Sequence, residues 1–208
     1  MFLVLGLGNP GARYVDTRHN VGFLVVDALA RRAAVGVDRE QAGALMARAP
    51  VSGRPCVLAK PQRFMNLSGG PGQALRDFFK VDLERVLVVH DDMDLPAGDV
   101  RVKVGGGHGG HNGLRDLVQH MGAGFVRVRM GVGRPPVGWD PADYVLGRWT
   151  EAETAGLYDF VARGADAVEA VVRDGVQRAM QALHTTEKAP TKGGASARGP
   201  SAPEVVPG

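Results

Sequence analysis

The sequence predicts an α/β fold in a single domain, on three observations. Continuous apolar runs of strand length, Phe2–Leu7 and Val86–His90, end in turn or acidic residues and read as buried parallel strands. Segments with apolar residues at helical spacing alternate with them along the chain. At 208 residues and 44% hydrophobic content, the chain fills one well-buried core and is short for two.

The elements follow in order. Phe2–Leu7 runs into Gly6-Leu7-Gly8-Asn9-Pro10-Gly11, and strand ends of this kind often carry function. Val21, Leu24, Val25, Ala28 and Leu29 predict a first helix over Val21–Ala34, with Gly36 as its stop. Ala44–Ala49 and Cys56–Ala59 flank the turn residues Pro50-Val51-Ser52-Gly53-Arg54-Pro55 and predict a hairpin whose register the sequence leaves open. A helix then runs from Leu67 or Ser68 to Phe79, and Val86–His90 delivers Asp91-Asp92-Met93-Asp94 at its C-terminal end. Val100–Val104 alternates around Arg101 and Lys103, and a helix is expected from Asn112 to Met121. The alternation of Phe125–Val132 sets Arg127 and Arg129 on one basic face and buries the other. From Pro141 the pattern is helical, and Glu151–Leu183 reads as a long amphipathic helix broken at Gly164 or Gly175. Thr185–Gly208, rich in Pro, Gly, Ser and Ala, is expected to be disordered, which sets a domain at residues 1–184 and a tail at 185–208.

Composition excludes several classes. A net charge of +3 does not by itself mark a nucleic-acid binder. Its distribution says more: from Arg101 to Arg134 six basic residues stand against Asp116 alone, a candidate anion-binding face that a solvated sheet edge would equally explain. Cys56 is the sole cysteine, so an intrachain disulfide and a cysteine-based metal site are both excluded. The N-terminus lacks a basic region and no apolar run approaches the length of a membrane span, so a cytoplasmic protein is expected.

The run Gly105-Gly106-Gly107-His108-Gly109-Gly110-His111-Asn112-Gly113 places six glycines in nine residues. Glycine offers nothing to bury, so such a run beside two histidines and an asparagine suggests a loop shaped around a ligand. Gly6-Leu7-Gly8-Asn9-Pro10-Gly11 fits the spacing of a dinucleotide fingerprint, but Pro10 removes an N–H where a pyrophosphate needs donors, and Asp27 lies inside the helical stretch rather than ending a second strand. His108 and His111, with Asp91, Asp92 or Asp94, offer the donors of a hydrolytic metal site, although a glycine loop fixes ligand geometry poorly. Nucleophile-elbow, P-loop and His-Glu-x-x-His signatures are absent. Thr17-Arg18-His19-Asn20 precedes the first helix; Asn20 suits a helix cap, and His19 suits a base if Asp91 reaches its other ring nitrogen.

Four blocks in this order resemble one family, the bacterial peptidyl-tRNA hydrolases: Gly6–Gly11 with Tyr14 and Thr17–Asn20, then Phe64-Met65-Asn66-Leu67-Ser68-Gly69, then His90-Asp91-Asp92-Met93-Asp94-Leu95-Pro96, then the glycine loop. The resemblance covers Leu3 to about His184. It implies a twisted mixed, largely parallel sheet between helices, and an ester hydrolase that frees the peptide from the 3′ ribose of tRNA without metal or cofactor. By motif, His19 is the general base and Asp91 orients it. Asn9 distinguishes N-blocked from free aminoacyl ends, while Asn66 and Asn112 bond the peptide backbone and the terminal nucleotide. Tyr14 and Phe64 line the site, and Lys103 and Arg129 contact tRNA phosphate. A monomer acting on peptidyl-tRNA, with no membrane partner, is expected. Arg63 stands where the family usually has threonine, and the tail after His184 has no counterpart. Two readings from other classes compete, an RNA-binding module without catalysis and a metallohydrolase built on His108 and His111.

Overall fold

The apolar runs become the central strands of one sheet. The computed structural model describes residues 1–186 and contains β1 (Phe2–Gly6), β2 (Arg39–Gln41), β3 (Ala44–Val51), β4 (Arg54–Pro61), β5 (Val86–Asp92), β6 (Val100–Val104) and β7 (Val126–Gly131). Their order is β2-β3-β4-β1-β5-β7-β6. The four central strands β4, β1, β5 and β7 are parallel, and β3 and β6 add antiparallel to either side. Alternation along each strand divides the core. Val4, Leu87, Val89, Val128 and Met130 pack against α1 (Val21–Arg32), α5 (Glu151–Asp174) and α6 (Val176–Thr186). Leu3, Leu5, Val86 and Val88 pack against α2 (Gly69–Phe78) and α3 (Asn112–Met121). Removing one such fully buried leucine, as in Leu5→Ala, costs roughly 2–5 kcal/mol. The short α4 (Pro141–Leu146) packs against the 3₁₀ turn Arg18–Asn20.

Several boundaries differ from expectation. The stop of α1 is Ala34, not Gly36: its φ of 54° and the bonds Ala34 N to Arg31 O and Val35 N to Ala30 O close a Schellman motif on a non-glycine residue. In the hairpin, Val51 pairs with Arg54, leaving Ser52-Gly53 (φ 46° and 74°) as a two-residue turn of the primed type that fixes the register. The second predicted helix is preceded by a 3₁₀ turn, Met65–Leu67, and α2 itself starts at Gly69. The final long helix breaks at Gly175 (φ 85°). Gly164 serves packing instead, since a Cβ there would stand 2.7 Å from Met130 Sδ. Helix α6 continues to Thr186, two residues into the segment expected to be disordered; the rest of that tail lies outside the described residues. Among the described residues no helix is long and apolar enough to cross a membrane.

Candidate active site

The chain leaving β1 passes to α1 on one face of the sheet, and the chain leaving β5 returns through β6 and α3 on the other. Divergence of this kind opens a crevice at the C-terminal ends of adjacent strands. β1 and β5 do pair, with Gly6 beside Val89, and a cleft of about 1010 Å³ lies there. Eight of the nine residues singled out by sequence line it. The exception is Tyr14, which stands one step back with its ring edge-on to Phe64, centroids 6.5 Å apart.

Gly22 places the first side chain. A Cβ there would lie 2.4 Å from both Leu7 N and Val89 O, so glycine lets α1 sit directly on the β1–β5 seam. The preceding turn then carries His19 over the end of β5, where its Nδ1 meets Asp91 Oδ1 at 2.8 Å. The carboxylate can only accept, so Nδ1 holds the ring proton and Nε2 is left for the cleft.

His111 reaches the same oxygen from the opposite face, its Nε2 at 3.0 Å. Its Nδ1 accepts from the backbone N–H of Gly113 and Leu114, which caps α3 and fixes the ring proton on Nε2. His90 Nδ1 donates to the Asp91 carbonyl at 2.7 Å, and its Nε2 is buried with no partner among the described residues.

The electrostatics follow from these contacts. Burial opposes ionisation of Asp91, yet the two imidazoles outweigh it and hold its carboxyl far below the usual range. Burial likewise opposes a charge on His19, but the Asp91 carboxylate prevails and raises the imidazole pKa. His90, fully enclosed and next to His111, is pushed down to about 3 and stays neutral.

The asparagines divide into fixed and open groups. Asn9 is buried, and its Oδ1 accepts from Met65 N at 2.7 Å, leaving its amide N–H groups for the cleft. Asn20 does not cap α1. Its side chain accepts from Asn9 N and donates to Asn9 O, both at 2.9 Å, and so clamps the loop after β1. Asn66 and Asn112 are exposed on the cleft wall.

The basic face is less uniform than alternation suggests. Arg127 is buried and donates to the carbonyls of Gly106 and Gly107, anchoring the glycine loop rather than facing solvent. Arg129 pairs with Asp92 at 2.7 Å, while Lys103 is exposed. Gly106 (φ 98°) and Gly110 (φ 82°) adopt left-handed backbone that other residues resist, so loop conformation accounts for part of the glycine content. Arg63 is exposed and borders a separate depression with Asp116 and His120.

His19, Asp91 and His111 present ligand-type atoms within 4.8 Å of one another. His19 Nδ1 and His111 Nε2 are already engaged with Asp91 Oδ1, so an ion held between these three atoms would have to displace two N–H protons from a buried site. His108 is not in this cluster; its Nδ1 accepts from Gly110 N. The pairing of His108 with His111 that a metal site would need is therefore not formed.

Sequence reasoning missed His90 and Asn20 as parts of this network, and reached His111 only as a candidate metal ligand beside His108. The signal for His111 was its place just before a predicted helix, but histidine is not among the residues that commonly cap one.

A family model described as Peptidyl-tRNA hydrolase matches residues 3–191, seven residues beyond the boundary expected at 184. Peptidyl-tRNA hydrolase of Nocardia farcinica is 50% identical over 187 residues, covering 88% of this chain and 95% of that one. That of Frankia alni is 47% identical over 184 residues, covering 88% and 93%. A crystal structure of peptidyl-tRNA hydrolase from Acinetobacter baumannii superposes with a TM-score of 0.82 at 35% identity, over 88% of this chain and 94% of that one.

Proposed function

Since the chain belongs to the peptidyl-tRNA hydrolase family, we propose that it hydrolyses the ester between a peptide and the 3′ ribose of tRNA with His19 as general base. The observation that carries this reading is the His19–Asp91 contact at 2.8 Å beside a cleft lined by amides. It commits one ring nitrogen and frees the other.

In this mechanism Nε2 of His19 takes a proton from water as the oxygen attacks the ester carbonyl. The imidazolium, stabilised by the ionised Asp91, then returns the proton to the departing 3′ oxygen. An alkoxide leaves far more readily than an amide nitrogen, so a placed water, a base and carbonyl polarisation suffice without a covalent intermediate, a metal or a cofactor. The N–H groups of Asn9 are aimed at the acyl end of the substrate, where the carbonyl of an acyl-blocked amine accepts a hydrogen bond and a charged free amine offers only donors. Asn66 and Asn112 serve the peptide backbone and the terminal nucleotide. Phe64, 53% exposed and braced by Tyr14, offers a face for a splayed base. Lys103 and Arg129 take tRNA phosphate, which positions the substrate without reading its sequence.

The reading places the enzyme in the cytoplasm as a monomer, with residues 1–184 as its catalytic domain and 185–208 as a tail outside it. Release of N-acetyl-amino acid from N-acetyl-aminoacyl-tRNA, set against release of amino acid from the unblocked form, tests the function. Rapid hydrolysis of the first and slow hydrolysis of the second is expected. Hydrolysis of neither would leave an RNA-binding module as the better reading.

A further inference from the structure

One side chain ties the turn that carries His19 to the α4 wall of the cleft. The Arg18 side chain is 7% exposed. Its Nε and Nη2 donate to the two carboxylate oxygens of Glu153 at 2.9 and 2.6 Å. Its Nη1 donates to the carbonyls of Tyr144 and Arg148 at 3.2 and 3.0 Å. The guanidinium also lies 4.5 Å from the centroid of the Tyr144 ring. Backbone contacts reinforce the junction: Arg18 N donates to Gly147 O, Trp149 N donates to Asp16 O, and Thr17 bridges Arg148. Gly147 is small to suit it, since a Cβ there would stand 3.1 Å from Arg18 Nη1.

The partners of Arg18 occupy special positions. Tyr144 lies in the last turn of α4; its carbonyl accepts from the capping Gly147 N at 3.1 Å and keeps a second lone pair for Arg18, and its neighbours Val145 and Leu146 line the cleft. Glu153 is the capping-box residue of α5, its Oε2 also accepting from Thr150 N at 2.7 Å. A single guanidinium thus closes the end of α4, pairs with the start of α5 and sits next in sequence to the base. Only arginine has the planar fork that makes all of these bonds at once.

We propose that Arg18 is a positioning residue for the hydrolysis: it joins the α4 wall and the His19 turn into one body, so that seating the substrate against Val145 and Leu146 also aims the base. The proposal rests on the peptidyl-tRNA reading above. The titratable groups facing His19 are Asp91 from β5 and His111 from the start of α3, with His90 behind His111. Arg18 reaches Glu153 instead, so it acts on His19 through the turn and not through its charge.

The test assays wild type, Arg18→Ala, Arg18→Lys and Glu153→Gln on N-acetyl-aminoacyl-tRNA, well below the Tm of each. Arg18→Ala is expected to lose about tenfold or more in kcat, the scale of a misplaced catalytic group. It should also raise KM and move the acid limb of the kcat profile to lower pH, as the loosened turn weakens the Asp91 contact. Arg18→Lys, lacking the fork, should not restore kcat. Glu153→Gln keeps the α5 cap and should shift kcat and acid limb in the same direction by less, which covers a failure of Arg18→Ala to fold. A rise in KM alone, with kcat and acid limb at wild-type values, makes Arg18 an anchor of the wall only and overturns the proposal. So does wild-type kcat in Arg18→Lys. Absence of turnover in the wild type itself would overturn the functional reading instead.

Discussion

His111 caps the helix after the glycine loop with one ring nitrogen and donates to Oδ1 of Asp91 with the other, at 3.0 Å. A loop whose glycines leave it little intrinsic rigidity is thereby fastened to the carboxylate that orients His19. Asp91 has two imidazole donors on one oxygen, and both favour its ionised form.

The two duties of His111 separate in His111→Asn. Asparagine is among the better N-cap residues, so α3 keeps its cap while Asp91 loses a donor. We expect a folded variant that is about 1–3 kcal/mol less stable by denaturant titration, since a buried carboxylate loses one of its two donors, with kcat about tenfold lower under conditions where it is fully folded. Wild-type kcat in the folded variant would assign His111 to folding alone.

Asp91→Asn bears on the pH dependence. The pKa of His19 is raised by its carboxylate partner against the cost of burial, so the base is lost to protonation at a higher pH than for a free imidazole. Removing the negative charge lowers that pKa, and the acid limb of kcat moves to lower pH. At neutral pH the maximum rate should still fall by about 10²-fold or more, because neither tautomer nor imidazolium is stabilised. A pH profile over the range from 5 to 9 checks both effects.

His90 makes stability sensitive to mild acid. With its pKa lowered to about 3 in the fold, it binds a proton in the unfolded chain but not in the native one between that value and the ordinary imidazole range. Stability therefore falls as pH drops below about 6.5, by up to about 1.4 kcal/mol per unit. His19 works in the other sense: its raised pKa contributes stability that is complete below the ordinary value and lost as pH rises through the folded one. Urea midpoints between pH 5 and 6.5 should slope with pH in wild type and flatten in His90→Asn.

Lys103 and Arg129 should act on the tRNA body. Replacing either with alanine is expected to reduce the slope of log K against log salt by about one. A minimal substrate lacking the tRNA body should be turned over at nearly wild-type rate. Arg127→Ala differs in kind: it releases the Gly106 and Gly107 carbonyls and should lower Tm and turnover of the minimal substrate together.

Much of this was legible in the chain. Uninterrupted apolar runs of strand length that end in turn or acidic residues suit a strand covered on both faces, and β1 and β5 appear there. The Asn112–Met121 helix was read with the bounds it has. Other features were not local properties. Ala34 terminates α1 in a conformation usually left to glycine because the bonds Val35 N to Ala30 O and Ala34 N to Arg31 O close the turn around it. Asn20 looks like a cap, yet its amide satisfies the backbone of Asn9, eleven residues away. Alternation put Arg127 beside Arg129 on a basic face, but cannot tell that the glycine loop folds over one and not the other. Spacing suggested His108 with His111, whereas capping of α3 turns His111 toward Asp91.

The central claim, that His19 is the base, is tested most directly by single-turnover hydrolysis of N-acetyl-aminoacyl-tRNA by His19→Ala, with circular dichroism to show that the variant is folded. A loss of roughly 10³-fold is expected, within the range that a positioned general base supplies. A folded His19→Ala that retains activity within about tenfold of wild type would contradict it.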